Sequence, residues 1–149
     1  MDDKLTQTII ACIVKVHKVL GPGFLESVYR RALVIELRRS GLAVEVEKEV
    51  VIFYEGEEVG RHRLDLIVER RVILELKTVE DLSQAHYAQV RSYLKATGLA
   101  VALLVNFSKE RSDFRRIEPV LSSSPSSPPL PSYTPREVKP DGEGRQPLA

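Results

Sequence analysis

Between Leu64 and Lys77 the chain reads Leu64-Asp65-Leu66-Ile67-Val68-Glu69-Arg70-Arg71-Val72-Ile73-Leu74-Glu75-Leu76-Lys77, and no other stretch restricts the fold so tightly. Two runs alternate apolar and polar residues on either side of a charged break, the period-two signature of paired half-buried strands. Leu64, Leu66 and Val68 then share one face of the first strand, and Val72, Leu74 and Leu76 one face of the second. Making those faces coincide pairs Val68 with Val72, Leu66 with Leu74 and Leu64 with Leu76. It turns Glu69-Arg70-Arg71 into a three-residue hairpin loop and sets Asp65 directly across from Glu75. A one-residue slip would bury the charges, so the register is strongly specified. Two carboxylates and the Lys77 ammonium then lie on one polar patch. Like charges directly opposite destabilise a strand pair and raise each other's proton affinity unless a cation lies between them. A hard divalent ion held by oxygens reverses that penalty. From the strands alone, a site and a solvated sheet face are equal alternatives.

The flanking sequence supplies the layers that such a hairpin needs. Leu5, Ile9, Ile13, Val16 and Leu20 recur at helical spacing, with Asp2 and Asp3 suited to the positive end of the helix dipole. Gly21-Pro22-Gly23 ends that helix. A second helix is expected from about Phe24 to Arg39, with Leu25, Val28, Ala32, Ile35 and Arg39 along its stripe and Gly41 as its cap. Alternation returns from Leu42 to Tyr54, and Glu55-Gly56-Glu57 turns that strand into the one holding Asp65. Beyond Lys77, Asp81 with Gln84 resembles a capping box for a helix running to about Ala96, which Gly98 ends. Leu99 to Phe107 is a nearly continuous apolar run, expected to be a central strand reached by a crossover and parallel to its neighbour. The predicted order is ααβββαβ: an α+β chain in the broad α/β class, with a mixed sheet of about four strands flanked by helices.

Eight of the nine prolines fall from Pro119 onward, among serines and few aliphatic residues. Such a segment buries too little to offset its ordering entropy. Residues 1–118 are therefore read as the domain, and 119–149 as a disordered tail that offers a polyproline ligand around Pro125 to Pro131. A net charge of +1 does not advertise a polyanion partner, so any basic surface must be made locally by the fold. The single cysteine, Cys12, excludes an intrachain disulfide and a thiolate-bound zinc or iron–sulfur centre within the chain. Neither a bilayer-length apolar run nor a secretory signal pattern is present, so a cytoplasmic setting without membrane contact is expected. No serine or cysteine nucleophile motif, phosphate-cradling loop or dinucleotide fingerprint occurs.

Among the remaining candidates each residue has an ordinary structural reading. Glu26 near a helix N-terminus is a dipole partner. Tyr29, one turn on, is a core-edge aromatic. Gln89 and Tyr93 share a face with His86 on the helix after Lys77, as half-exposed flank residues do. His17, His62 and His86 are too dispersed for a metal triad.

Taken together, the pieces form a recognisable pattern. Gly23-Phe24-Leu25-Glu26-Ser27-Val28-Tyr29 fits G-x-x-E-x-x-Y, and the chain resembles the bacterial GxxExxY proteins. The likeness extends from His17-Lys18-Val19-Leu20 through Leu64-Asp65-Leu66 and Leu74-Glu75-Leu76-Lys77 to Gln89-Val90-Arg91-Ser92-Tyr93. It ends in Ala96-Thr97-Gly98-Leu99 and Leu103-Leu104-Val105-Asn106-Phe107, so that it covers about residues 5–117 and none of the tail. That family resembles the PD-(D/E)xK nuclease superfamily, with its restriction-endonuclease-like core. The resemblance implies that Asp65, Glu75 and Glu26, with the backbone carbonyl of Leu76, hold Mg²⁺ or Mn²⁺. It implies that Lys77 positions the attacking water, and that Gln89, Tyr93 and Tyr29 line the substrate side. Leu64 stands where the superfamily name has proline, which removes no ligand. Arg63 is expected to contact phosphate, as are Arg61, Arg91, Lys95, Arg30 and Arg31. The implied function is metal-dependent hydrolysis of phosphodiester bonds in nucleic acid, with DNA favoured. The alternative is a non-catalytic nucleic-acid-binding or protein-interaction module on the same fold.

Overall fold

Among the described residues three helices and five strands follow one another in the order α1 (Asp3–Leu20), α2 (Glu26–Arg39), β1 (Val44–Tyr54), β2 (Glu57–Val68), β3 (Val72–Lys77), α3 (Gln84–Thr97), β4 (Val101–Asn106) and β5 (Asp113–Ile117). The structure is a computed structural model and describes residues 3–120. Asp2 and the segment from residue 121 on lie outside the described residues, and with them the expectations of a disordered, partner-recruiting tail. No helix among the described residues is long and apolar enough to cross a membrane.

The strands form one sheet in sequence order, β1-β2-β3-β4-β5, antiparallel except for the β3–β4 pair. The parallel pair follows from the apolar Leu99–Phe107 run: β3, α3 and β4 make a crossover, and β3 is buried along Val72–Leu76 because helices cover both faces. β5 is the strand that periodicity does not reveal. Only Phe114 and Ile117 of its five residues are apolar, and its pairing with β4 rather than any alternation defines it.

α1 and α2 pack on one face through Ile9, Ile13, Val16, Tyr29, Leu33 and Leu37 against Leu66, Leu74, Leu76 and Leu103. α3 covers the other through Val90, Tyr93 and Leu94 against Ile67, Ile73 and Leu104. Each such side chain contributes roughly 1.5–3 kcal/mol of transfer free energy. The stripe expected on α2 is displaced: Leu25 is the N-cap and, like Ile35, exposed, while Tyr29, Leu33 and Leu37 at four-residue intervals face the core. The α3 cap also differs from expectation. Ser83 is the N-cap, its side chain accepting from the His86 N–H while His86 Nδ1 accepts the Ser83 N–H. Asp81 instead pairs with Lys109 at 2.9 Å.

The hairpin that anchors the sequence reading is present with one change. Val68 pairs with Val72, Ile67 with Ile73 and Leu66 with Leu74, and Glu69, Arg70 and Arg71 form the loop, the first two at φ 52° and 54°. The ladder stops there. Leu64 does not share a face with Leu66; it lies in the core under α3, whereas Leu66 lies in the core under α1 and α2. The exchange of faces occurs at Asp65 and, across the β1–β2 pair, at Glu47, which holds φ 50° inside a strand.

Candidate metal and phosphodiester site

Because the ladder ends at Leu66–Leu74, Asp65 is not backbone-paired with Glu75 as the alternation implies. Its carboxylate enters the gap instead: Oδ2 accepts the Leu76 N–H at 2.8 Å. The N–H and C=O of one strand residue point to the same edge, so the Leu76 carbonyl also faces the gap beside Asp65. The next carbonyl, Lys77, points the other way and accepts the Phe107 N–H at 2.9 Å.

Glu75 lies on the α3 side of this opening and is only 5% exposed. Its Oε1 is buried with no hydrogen-bond partner, and Oε2 lies 3.6 Å from Lys77 Nζ. Burial, then the negative charge of Asp65 and a hydrogen bond shared with it, push the Glu75 carboxyl up to about 8; Lys77 opposes the shift. A buried oxygen of this kind is costly unless a proton shared with Asp65 or a cation satisfies it. Glu26, the first residue of α2, is raised by burial and next by Asp65, with Lys77 and Arg30 opposing. Tyr93 is pushed up to about 12 by burial and by the charges of Glu75 and Asp65. The charges of Asp65, Glu75 and Lys77 thus act on Glu26, Glu75 and Tyr93, so these groups lie near one another. Gln89 joins them from the exposed side of α3, where its Oε1 accepts from Lys77 Nζ at 3.2 Å. Arg63 lies exposed on β2, two residues before Asp65 and opposite Glu49.

Tyr29 does not belong to this group. It is fully buried, stacked on Phe107 at 4.4 Å, and its hydroxyl donates to the Gly21 carbonyl while accepting the Phe24 N–H. These bonds tie down the turn that leads into α2, whose first residue is Glu26, and no surface of Tyr29 is exposed. Arg61 is likewise engaged with Glu49 and Glu58.

Asn106 belongs to no catalytic motif in the sequence. Buried at the end of β4, it accepts the Val79 and Ser108 N–H groups and donates to the Val79 carbonyl, pinning the chain that leaves β3 just after Lys77. A lone amide closing an apolar run was the available signal. Glu47 and Arg30 form the other unforeseen contact: Arg30 bridges Glu47 at 3.0 Å and Asp65 at 3.5 Å.

A family model described as the PD-(D/E)XK nuclease superfamily matches residues 3–117. The chain belongs to that superfamily. The superfamily assignment agrees with the mixed five-stranded sheet and its three helices. The crystal structure of SSO0001 shares the fold at a TM-score of 0.52 and 22% identity, over 64% of this chain and 50% of that one. The match thus spans about half the length of SSO0001. Comparison with curated proteins gives no match. Nucleases of this superfamily generally use divalent metal ions and act on nucleic acid.

The donors present suit a small hard ion. They are oxygens, two of them belong to carboxylates whose charges repel, and one buried carboxylate oxygen lacks a partner. Among the described residues no three acidic, histidine or cysteine side chains close on a common point. That is compatible with Mg²⁺, which is usually bound through one or two carboxylates and keeps several waters.

Proposed function

We propose that this protein is a metal-dependent nuclease that hydrolyses phosphodiester bonds in nucleic acid, with DNA as its expected substrate. The observation that carries the reading is the unpartnered, buried Oε1 of Glu75 beside Asp65. Asp65, Glu75 and the Leu76 carbonyl would hold Mg²⁺ or Mn²⁺, with Glu26 completing the set directly or through water. The ion would supply Lewis acidity to a phosphate oxygen and to the attacking water.

The remaining work falls to the chain. Lys77 Nζ, held between Glu75 and Gln89, orients the water by donating to it and offsets charge that develops on the phosphate. Gln89 fixes the Lys77 rotamer and, with Tyr93, lines the substrate side. Arg63 contacts phosphate along the exposed face of β2. Water attack needs no covalent intermediate, in keeping with the lack of a nucleophile motif. A cytoplasmic protein of the bacterial GxxExxY kind, with the superfamily domain over about residues 1–118, fits this reading.

The test incubates the purified protein with labelled single- and double-stranded DNA and RNA in Mg²⁺, Mn²⁺ or EDTA. Cleavage that requires the metal and disappears in Glu75→Ala and Lys77→Ala supports the reading; no metal-dependent cleavage of any substrate sinks it. One observation favours a second reading, a non-catalytic binding module on the same fold: among the described residues the acidic groups close no three-residue cage. Nucleic-acid binding that is indifferent to EDTA, without cleavage, would select it.

A further inference from the structure

Arg30 lies one helical turn beyond Glu26 on α2 and reaches across to both long strands. One nitrogen of its guanidinium is 3.0 Å from Glu47 Oε1 and the other 3.5 Å from Asp65 Oδ1. Asp65 Oδ2 is already engaged by the Leu76 N–H. The second oxygen, Oδ1, is the one that faces Arg30. Guanidinium is permanently charged, and its fork can serve two carboxylates at once.

Glu47 gives this contact its significance. It holds φ 50° within an eleven-residue strand, a conformation disfavoured for any residue with a side chain and often tied to function. The β1–β2 register steps from Val46–Leu66 to Lys48–Leu64, so Glu47 occupies the position facing Asp65. The same step, where β1 exchanges faces, brings the Glu47 carboxylate to the guanidinium that also meets Asp65.

We propose that Arg30 is the resident cation of Asp65, which a divalent metal must displace, and that Glu47 is the anchor that receives it. This rests on the metal site proposed above. Without metal, Arg30 offsets the charge of Asp65 close to Glu75 and Glu26. A divalent ion on Asp65 repels the guanidinium, and the longer of its two contacts yields. Arg30 then stays on Glu47, beside the site and available to a phosphate. Arg30 and Glu47 are positioning residues: they set how readily Asp65 accepts the ion.

The experiment titrates the full chain with Mn²⁺ alone, by calorimetry, with circular dichroism confirming that each variant is folded. Arg30→Ala is expected to bind Mn²⁺ about fivefold more tightly or better, since Asp65 is released. Glu47→Gln leaves Arg30 with Asp65 alone, and binding weakens by about fivefold. Glu47→Gln added to Arg30→Ala should change nothing further, because Glu47 acts through Arg30. Arg30→Gln repeats the first measurement with a polar side chain if Arg30→Ala does not fold. Unchanged or weaker binding in both Arg30 variants overturns the latch, as does an equal loss from Glu47→Gln in both backgrounds. A wild-type protein that binds no Mn²⁺ instead overturns the metal site itself.

Discussion

The β2–β3 pair has two ends made of similar material. At the turn end, Val68 faces Val72, Ile67 faces Ile73 and Leu66 faces Leu74, and all six are at most 2% exposed. One residue further, pairing ceases. There a carboxylate takes the place of a carbonyl, with Asp65 accepting the Leu76 N–H, and the Leu76 carbonyl faces the same gap. At the first end backbone polarity is consumed by the ladder, and the side chains do nothing but pack. At the second, backbone polarity is released for other partners and the side chains carry charge that packing cannot satisfy. The sheet is closed where its side chains pack and open where its oxygens gather, and a single residue step separates the two.

That contrast can be broken in three places. The largest effect is expected from Leu74→Ala at the closed end, a loss of about 2–5 kcal/mol in denaturant unfolding; a cost below about 1 kcal/mol would mean that the closed end is not what holds the sheet. At the open end Glu75→Ala or Lys77→Ala should lower metal-dependent cleavage by about 100-fold or more while leaving the protein folded. If either variant unfolds as Leu74→Ala does, the two ends are not functionally distinct. The third test is the pH dependence of stability in EDTA. The folded-state Glu75 carboxyl is raised from its ordinary 4.5 to about 8, so the folded protein binds the extra proton between those values. The Glu75 contribution to stability is then full below about 4.5, falls as pH rises through the window by up to about 1.4 kcal/mol per pH unit, and is flat above it. Glu75→Gln should remove most of that slope and leave the smaller contribution of Glu26 in the same direction; an unchanged slope would refute the burial argument.

The closed end is also the part that was legible in the sequence. Alternation fixed the pairs Val68–Val72 and Leu66–Leu74 and the three-residue loop, and the apolar run ending in Phe107 showed the parallel strand, because periodicity records burial directly. The open end was legible in composition but not in geometry. Extending the alternation to Leu64 put it on the same face as Leu66 and set Asp65 against Glu75; the positive φ at Glu47 and the exchange of faces leave no mark in a hydrophobic pattern. The α2 stripe failed for a related reason. Leu25 and Ile35 are as apolar as Leu33 and Leu37, and only the tertiary position of the helix decides which set is covered. β5 owes its existence to an available edge on β4, which is a property of the sheet rather than of its own five residues.

The smallest effects separate two tyrosines that sequence reasoning assigned together to the substrate side. Tyr29 is enclosed, and its hydroxyl serves Gly21 and Phe24; Tyr93 is nearly as buried, but its phenol feels Glu75 and Asp65. Tyr29→Phe leaves a carbonyl and an N–H unpaired in the turn before Glu26, and should cost about 1–2 kcal/mol in thermal unfolding with the KM for nucleic acid unchanged. Tyr93→Phe should alter stability by no more than about 0.5 kcal/mol and raise KM instead, because the phenol it loses feels the charges of Glu75 and Asp65. The reverse pattern would return Tyr29 to the site and make Tyr93 a packing residue of α3. Since both substitutions remove one oxygen from a buried ring, the burial of the ring cannot account for any difference; only the neighbours of each hydroxyl can.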